Sequence, residues 1–138
     1  MKFVIYFFAA ITFMLNVQAR ASIEIKVEDF SPPSEIQQRV IDRYSYNFGR
    51  VWLNSSQYAS YRLTNTGSTP LTFQSASVSG IDFSASHSCV GKLAPQQVCR
   101  FDIRYSPFFA GFNSGRFILS FIENLDIVVD LWGEGYRL

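Results

Sequence analysis

Tyr61-Arg62-Leu63-Thr64-Asn65-Thr66-Gly67-Ser68-Thr69-Pro70-Leu71 holds a strand, a turn and the start of a second strand in one stretch. Tyr61 and Leu63 alternate with Arg62 and Thr64, the period of a strand with one buried face. Asn65 and Gly67 supply turn conformations, and Pro70 blocks a helix beyond them. The stretch reads as a β-hairpin and sets the class as an all-β sandwich. It carries no catalytic or cofactor chemistry, so function has to be sought in where the protein works and which surfaces it presents.

Period-two alternation extends in both directions. Ser22 to Glu28 sets Ile23, Ile25 and Val27 against Glu24, Lys26 and Glu28. Phe30-Ser31-Pro32-Pro33-Ser34 breaks that strand, and Glu35 to Arg43 reads either as one helical turn or as a loop. Tyr44 to Leu53 is expected to be a strand bent at Gly49, with Asn54-Ser55-Ser56 turning it into Gln57 to Thr64. Leu71 to Ser79 forms the next strand, Gly80 a break, and Ile81 to Ser86 a short continuation that buries Phe83. Val98 to Tyr105 turns Phe101, Ile103 and Tyr105 inward and Arg100, Asp102 and Arg104 outward. Ala110 to Gly115 reads as a loop into a strand from Arg116 to Glu123. A hairpin at Glu123-Asn124-Leu125-Asp126 then leads to a last strand, Ile127 to Trp132. Short strands at this spacing, with no βαβ alternation, predict an immunoglobulin-like antiparallel β-sandwich of about seven to eight strands.

Residues 1–21 read as a signal peptide. Met1-Lys2 is basic, Phe3 to Leu15 is apolar, and Ala19-Arg20-Ala21 offers small residues for cleavage after Ala21 or Ala19. The apolar run is shorter than the roughly 18 to 20 residues that span a bilayer. The expectation is export to the periplasm or beyond, with 22–43 an N-terminal strand and connecting segment and 44–138 the domain. Without Lys2 and Arg20, ten of the twelve Lys and Arg remain against eleven Asp and Glu, a net charge near minus one. With no basic run either, nucleic acid is excluded as a partner. Neither an apolar C-terminal segment nor a lipid-accepting Cys after the leader appears, so no membrane anchor is expected in the mature chain.

Cys89 and Cys99 flank a loop containing Gly91 and Pro95. In an exported chain such a pair reads as a disulfide, and the C-x-x-C spacing of a redox or metal pair is missing. His87 stands beside Ser88 and Cys89, the material for a small hydrolase with a loop site, but an oxidised Cys89 is no nucleophile and triads are built by geometry, not contiguity. Asp82, Asp102, Asp126 and Asp130 are scattered, with no D-x-D-x-D-G calcium loop. The reading is therefore of no enzyme, no metal and no cofactor. Asn54-Ser55-Ser56 matches the glycosylation sequon in a turn.

Phe48-Gly49, Tyr61-x-Leu63-x-Asn65-Thr66-Gly67-Ser68-Thr69-Pro70-Leu71 and Gly80-Ile81-Asp82-Phe83 are followed by Cys89, Leu93-Ala94-Pro95 and Cys99-x-Phe101. Tyr105-Ser106-Pro107, Ala110-Gly111 and Leu131-Trp132-Gly133-Glu134-Gly135 come after them. In this order the motifs resemble the ASH/hydin type of immunoglobulin-like domain, including exported bacterial choice-of-anchor-D-like chains. The resemblance spans about Tyr44 to Gly135, with Gln96 where Gly is usual and Tyr105 in place of Phe. It implies binding or scaffolding and transfers no catalytic residue.

The family register implies that Phe117, Leu119 and Phe121, with Ile127, Val129 and Leu131, face the core. Ile118, Ile122, Val128 and Trp132 then share the outer side of the last hairpin, a candidate interaction patch. It is either exposed or covered by the N-terminal strand or the segment from Glu35 to Arg43. The function expected is a non-catalytic module engaging a protein or envelope polymer through a sheet face or edge strand, with self-association open. A periplasmic chaperone-like capture of a partner's strand is the alternative.

Overall fold

Among the described residues the alternating segments fold into nine strands: β1 (Ser22–Val27), β2 (Val40–Trp52), β3 (Gln57–Asn65), β4 (Leu71–Ser79), β5 (Phe83–His87), β6 (Lys92–Leu93), β7 (Val98–Tyr105), β8 (Gly111–Phe121) and β9 (Leu125–Tyr136). The computed structural model describes residues 22–29 and 39–138. The signal-peptide reading of 1–21, the break at Pro32-Pro33 and the first part of the Glu35 to Arg43 segment lie outside the described residues. One sheet is ordered β1-β3-β7-β5 and the other β2-β9-β8-β4-β6. β1 runs parallel to β3 and β2 parallel to β9; the other ladders are antiparallel. The expected all-β immunoglobulin-like sandwich is the fold, and the strand beyond the expected eight is the two-residue β6.

Tyr61 to Leu71 is not a hairpin. Both edges of β3 are already taken, by β1 and by β7, so β4 crosses to the opposite sheet. Buried Asn65 turns the chain across. Its Oδ1 accepts the Gly67 N–H at 3.1 Å, and its Nδ2 donates to the Thr69 and Leu93 carbonyls at 2.9 and 3.0 Å. These bonds satisfy an amide that burial would otherwise leave costly. The Val27 carbonyl accepts the Thr66 and Gly67 N–H groups at 2.8 and 3.1 Å, so β1 ends on the same arch.

Three boundaries also differ from the expectation. Ile81 to Ser86 does not continue β4: the chain bends at Gly80 (φ +104°), and β5 starts at Phe83 against β7 in the other sheet. β8 starts at Gly111, not Arg116, because Gly115 lies against the Ser79 backbone and the Phe83 ring, where a side chain would not fit. Glycine here marks close approach between strands, which in sequence looks like a loop. β2 begins at Val40, bends as expected at Gly49 (φ +71°), and shifts register against β9 between Asn47 and Arg50.

Between the sheets, Phe101 stacks on Tyr61 beside it and on Phe117 across the core, with ring centroids 4.7 Å apart in both cases. Tyr105 stacks on Phe83 at 4.8 Å. Burial, with a smaller contribution from Tyr46, pushes the Tyr61 phenol up to about 12. The Cys89–Cys99 disulfide closes the expected loop, with Cα atoms 5.1 Å apart.

Candidate interaction surfaces

Phe117, Leu119 and Phe121 of β8 and Ile127, Val129 and Leu131 of β9 are buried in the core. On the opposite side of this hairpin, Ile118 pairs with Val128, Arg116 with Asp130 and Ser114 with Trp132. Of the four residues expected to form one outward patch, Ile118 and Val128 are brought together as a cross-strand pair, while Ile122 and Trp132 lie apart from them. Val128 is only 4% exposed, flanked by Arg43 of β2 and Ile118 of β8. Ile122 lies in the turn after β8, its N–H donated to the Thr72 carbonyl at 2.9 Å. Trp132, 46% exposed, is separated from Val128 along β9 by Asp130.

That Asp130 forms an ion-paired rung across the middle of the face. Its carboxylate accepts from Arg116 Nε at 2.8 Å and from Arg43 Nη1 at 2.9 Å. The two guanidiniums hold it below the usual carboxylate range. Alternation in β8 and β9 could not disclose this, because Arg43 comes from the segment read as a helical turn or loop. Trp132 instead lines a cleft of about 360 Å³ at the bend in β2, with Asn47, Arg50, Phe112 and Glu134. Arg50 lies 3.7 Å from Glu134 and 4.3 Å over the Tyr136 ring, which packs on Trp52 at 4.5 Å.

The rims of the two sheets differ in how they are defended. β2 carries Asp42, Arg43 and Arg50, while β1 carries Glu24 and Lys26, and charges discourage edge pairing. A bulge does not separate the rims, since β2 shifts register between Asn47 and Arg50 and β4 between Phe73 and Ser75. β6 pairs with β4 only at Leu71 and Thr72. Among the described residues, no strand pairs with Gln74–Ser79 on that side, and β5 is the rim of the facing sheet. These neighbouring segments, Gln74-Ser75-Ala76-Ser77-Val78-Ser79 and Phe83-Ser84-Ala85-Ser86-His87, contain no charged residue and no proline. The sequence signal was present in the uncharged run from Leu71 to Ile81, but edge membership depends on the arch at Asn65.

His87 packs its ring 5.1 Å from Phe73, Ser88 Oγ accepts the Arg100 N–H at 3.0 Å, and Cys89 is disulfide-bonded. No group of three or more His, Cys, Asp or Glu residues able to hold a metal occurs among the described residues. No described helix is long and apolar enough to cross a membrane.

A family model described as a HYDIN/CFA65/VesB-like, Ig-like domain matches residues 40–127. No curated protein matches the sequence. Among solved structures, the Vibrio cholerae VesB protease aligns with a TM-score of 0.57 at 19% identity, over 66% of this chain and 30% of that one. The secreted serine protease VesC from Vibrio cholerae aligns at 0.53 and 17% identity, over 64% of this chain and 21% of that one. The ASH/PapD-like domain of human CEP192 aligns at 0.53 and 12% identity, over 79% of this chain and 94% of that domain. This chain thus spans less than a third of either protease, and identities this low speak to the fold alone.

Proposed function

The chain belongs to the HYDIN/CFA65/VesB-like family of Ig-like domains, and on that premise we propose that it is an exported, non-catalytic binding or scaffolding module. It engages an exported or envelope protein by adding an extended segment of that protein to the open rim formed by β4 and β5. The observation that carries this reading is the contrast between rims. β1 and β2 bear charged residues, whereas Gln74–Ser79 and Phe83–His87 have neither charge nor proline to oppose an incoming strand. Beyond the bulge between Phe73 and Ser75, the segment Ser75–Ser79 pairs regularly with β8. Strand addition takes its affinity from main-chain hydrogen bonds and its specificity from side chains at alternate positions. The disulfide suits an oxidising compartment, in keeping with the leader-like residues 1–21.

A chaperone-like capture of another exported chain's strand would use the same rim and leave the chemistry unchanged. The test compares wild type with Ser77→Lys and Ser86→Lys in capture from intact envelope and in urea midpoint. Both positions are exposed, so the midpoint should hold while capture falls. Capture unchanged in both variants, with Trp132→Ala losing it, would move the site from the rim to the sheet face.

A further inference from the structure

One end of the sandwich is apolar to a degree that folding does not require. Ile81 in the β4–β5 turn is 91% exposed, Phe108 and Phe109 in the β7–β8 loop are 63% and 77%, and Phe112 at the start of β8 is 85%. Trp52, near the end of β2, is 45% exposed. These positions gather because β4, β7 and β2 end, and β5 and β8 begin, at the same end of the sheets.

The exposure is imposed by the fold. Buried Asp82 accepts from Asn113 Nδ2 at 2.9 Å and from the Phe108 N–H at 3.4 Å through the same Oδ2. The Pro107 carbonyl accepts the Asn54 N–H at 2.9 Å. Pro107 and the Phe109 carbonyl press against Gly135, where a Cβ would not fit. The loop is thus braced against three neighbours while its two phenylalanine rings face solvent.

We infer that this end docks on an anionic lipid surface, with Ile81, Phe108, Phe109 and Phe112 entering the interfacial region. Two observations favour a bilayer over a rigid partner. Side chains this exposed stand on protrusions in turns and loops, which a fluid interface can surround on all sides. The charged groups near them are predominantly cationic. Arg104 lines a cleft with Ile81, Phe108 and Asp82, Arg50 lines another with Phe112, and exposed Arg137 follows β9. Against these three stand Glu134, paired with Arg50, and Asp82, which is buried and turned to Asn113 and the Phe108 N–H, so the charges that reach solvent are mainly cationic. Apolar insertion together with attraction to anionic headgroups is how peripheral proteins hold to membranes.

The test is co-sedimentation of the exported chain with phosphatidylcholine vesicles, with and without phosphatidylglycerol, followed also by tryptophan emission. The chain's two tryptophans, Trp52 and Trp132, are both partly exposed and should shift to the blue on docking. Wild type should bind the anionic vesicles and release as salt rises. Phe108→Ser and Phe109→Ser should each weaken binding by about tenfold or more, the scale of losing one buried aromatic side chain. Arg104→Gln with Arg137→Gln should weaken it without touching the apolar loops, which guards against misfolding of the Phe variants. Failure to bind anionic vesicles, equal binding to neutral ones, or full binding by the Phe variants would overturn the inference.

Discussion

Gly133 presents bare backbone to the ring of Tyr105: a Cβ at that position would overlap Cδ2, Cε2 and Cζ of the ring. The ring has nowhere to go. It is fully buried, stacked on Phe83 at 4.8 Å, with its hydroxyl accepting from Asn113 Nδ2 at 3.0 Å. The glycines of Leu131-x-Gly133-x-Gly135 are thus places where β9 must have no side chain, Gly135 clearing the loop at Pro107 and Phe109. Gly133→Ala should therefore destabilise by about 1 to 3 kcal/mol as an overpacking change. A urea midpoint equal to wild type would show that the ring can move.

Phe101→Ala and Leu119→Ala should each cost about 2 to 5 kcal/mol, since both side chains are buried between the sheets. Arg104→Ala, on the exposed side of β7, should stay within about 0.5 kcal/mol. Urea denaturation separates the two cases, and similar midpoints for all three would mean the strand faces are exchanged.

Removing the disulfide by Cys89→Ser with Cys99→Ser should cost about 2 to 3 kcal/mol from the loop it closes. Non-reducing mass analysis of exported protein should find the two cysteines joined and no reactive thiol. Two titratable thiols in freshly isolated protein would contradict the pairing.

Asp130 links stability to pH. Its folded-state pKa is depressed by Arg116 and Arg43, so its contribution is present above the unfolded value and is lost as pH falls through the folded one. The urea midpoint should therefore decline as pH drops below about 4, the unfolded carboxylate value. Asp130→Asn should flatten that decline. Parallel curves for the two proteins would show that the rung is not coupled to folding.

Much of this was legible in the sequence because the side-chain period of a strand is local. The inward faces of Tyr61 and Leu63 and of Phe101, Ile103 and Tyr105 follow from alternation alone; that of the last hairpin follows from the family register, and the bend at Gly49 from the glycine itself. What alternation cannot supply is the partner of each strand. Asn65-Thr66-Gly67 has hairpin chemistry, yet it makes an arch, because β1 and β7 leave β3 no free edge. The same gap bears on the candidate patch: Ile118 and Val128 do pair across β8 and β9, but Arg43 of β2 lies beside Val128 and ties Asp130 into the rung between Val128 and Trp132. The open rim of β4 and β5 follows only once the arch has sent β4 to the second sheet.

The most direct measurement places a photo-crosslinking residue at Ser86 of β5, at Ser77 of β4, and, for comparison, at Glu24 of β1 and Ile41 of β2, then irradiates intact cells exporting each variant. All four positions are exposed. Engagement through the open rim predicts a common adduct from Ser77 and Ser86 and none from Glu24 or Ile41. Adducts from β1 or β2 with none from β4 or β5 would contradict it.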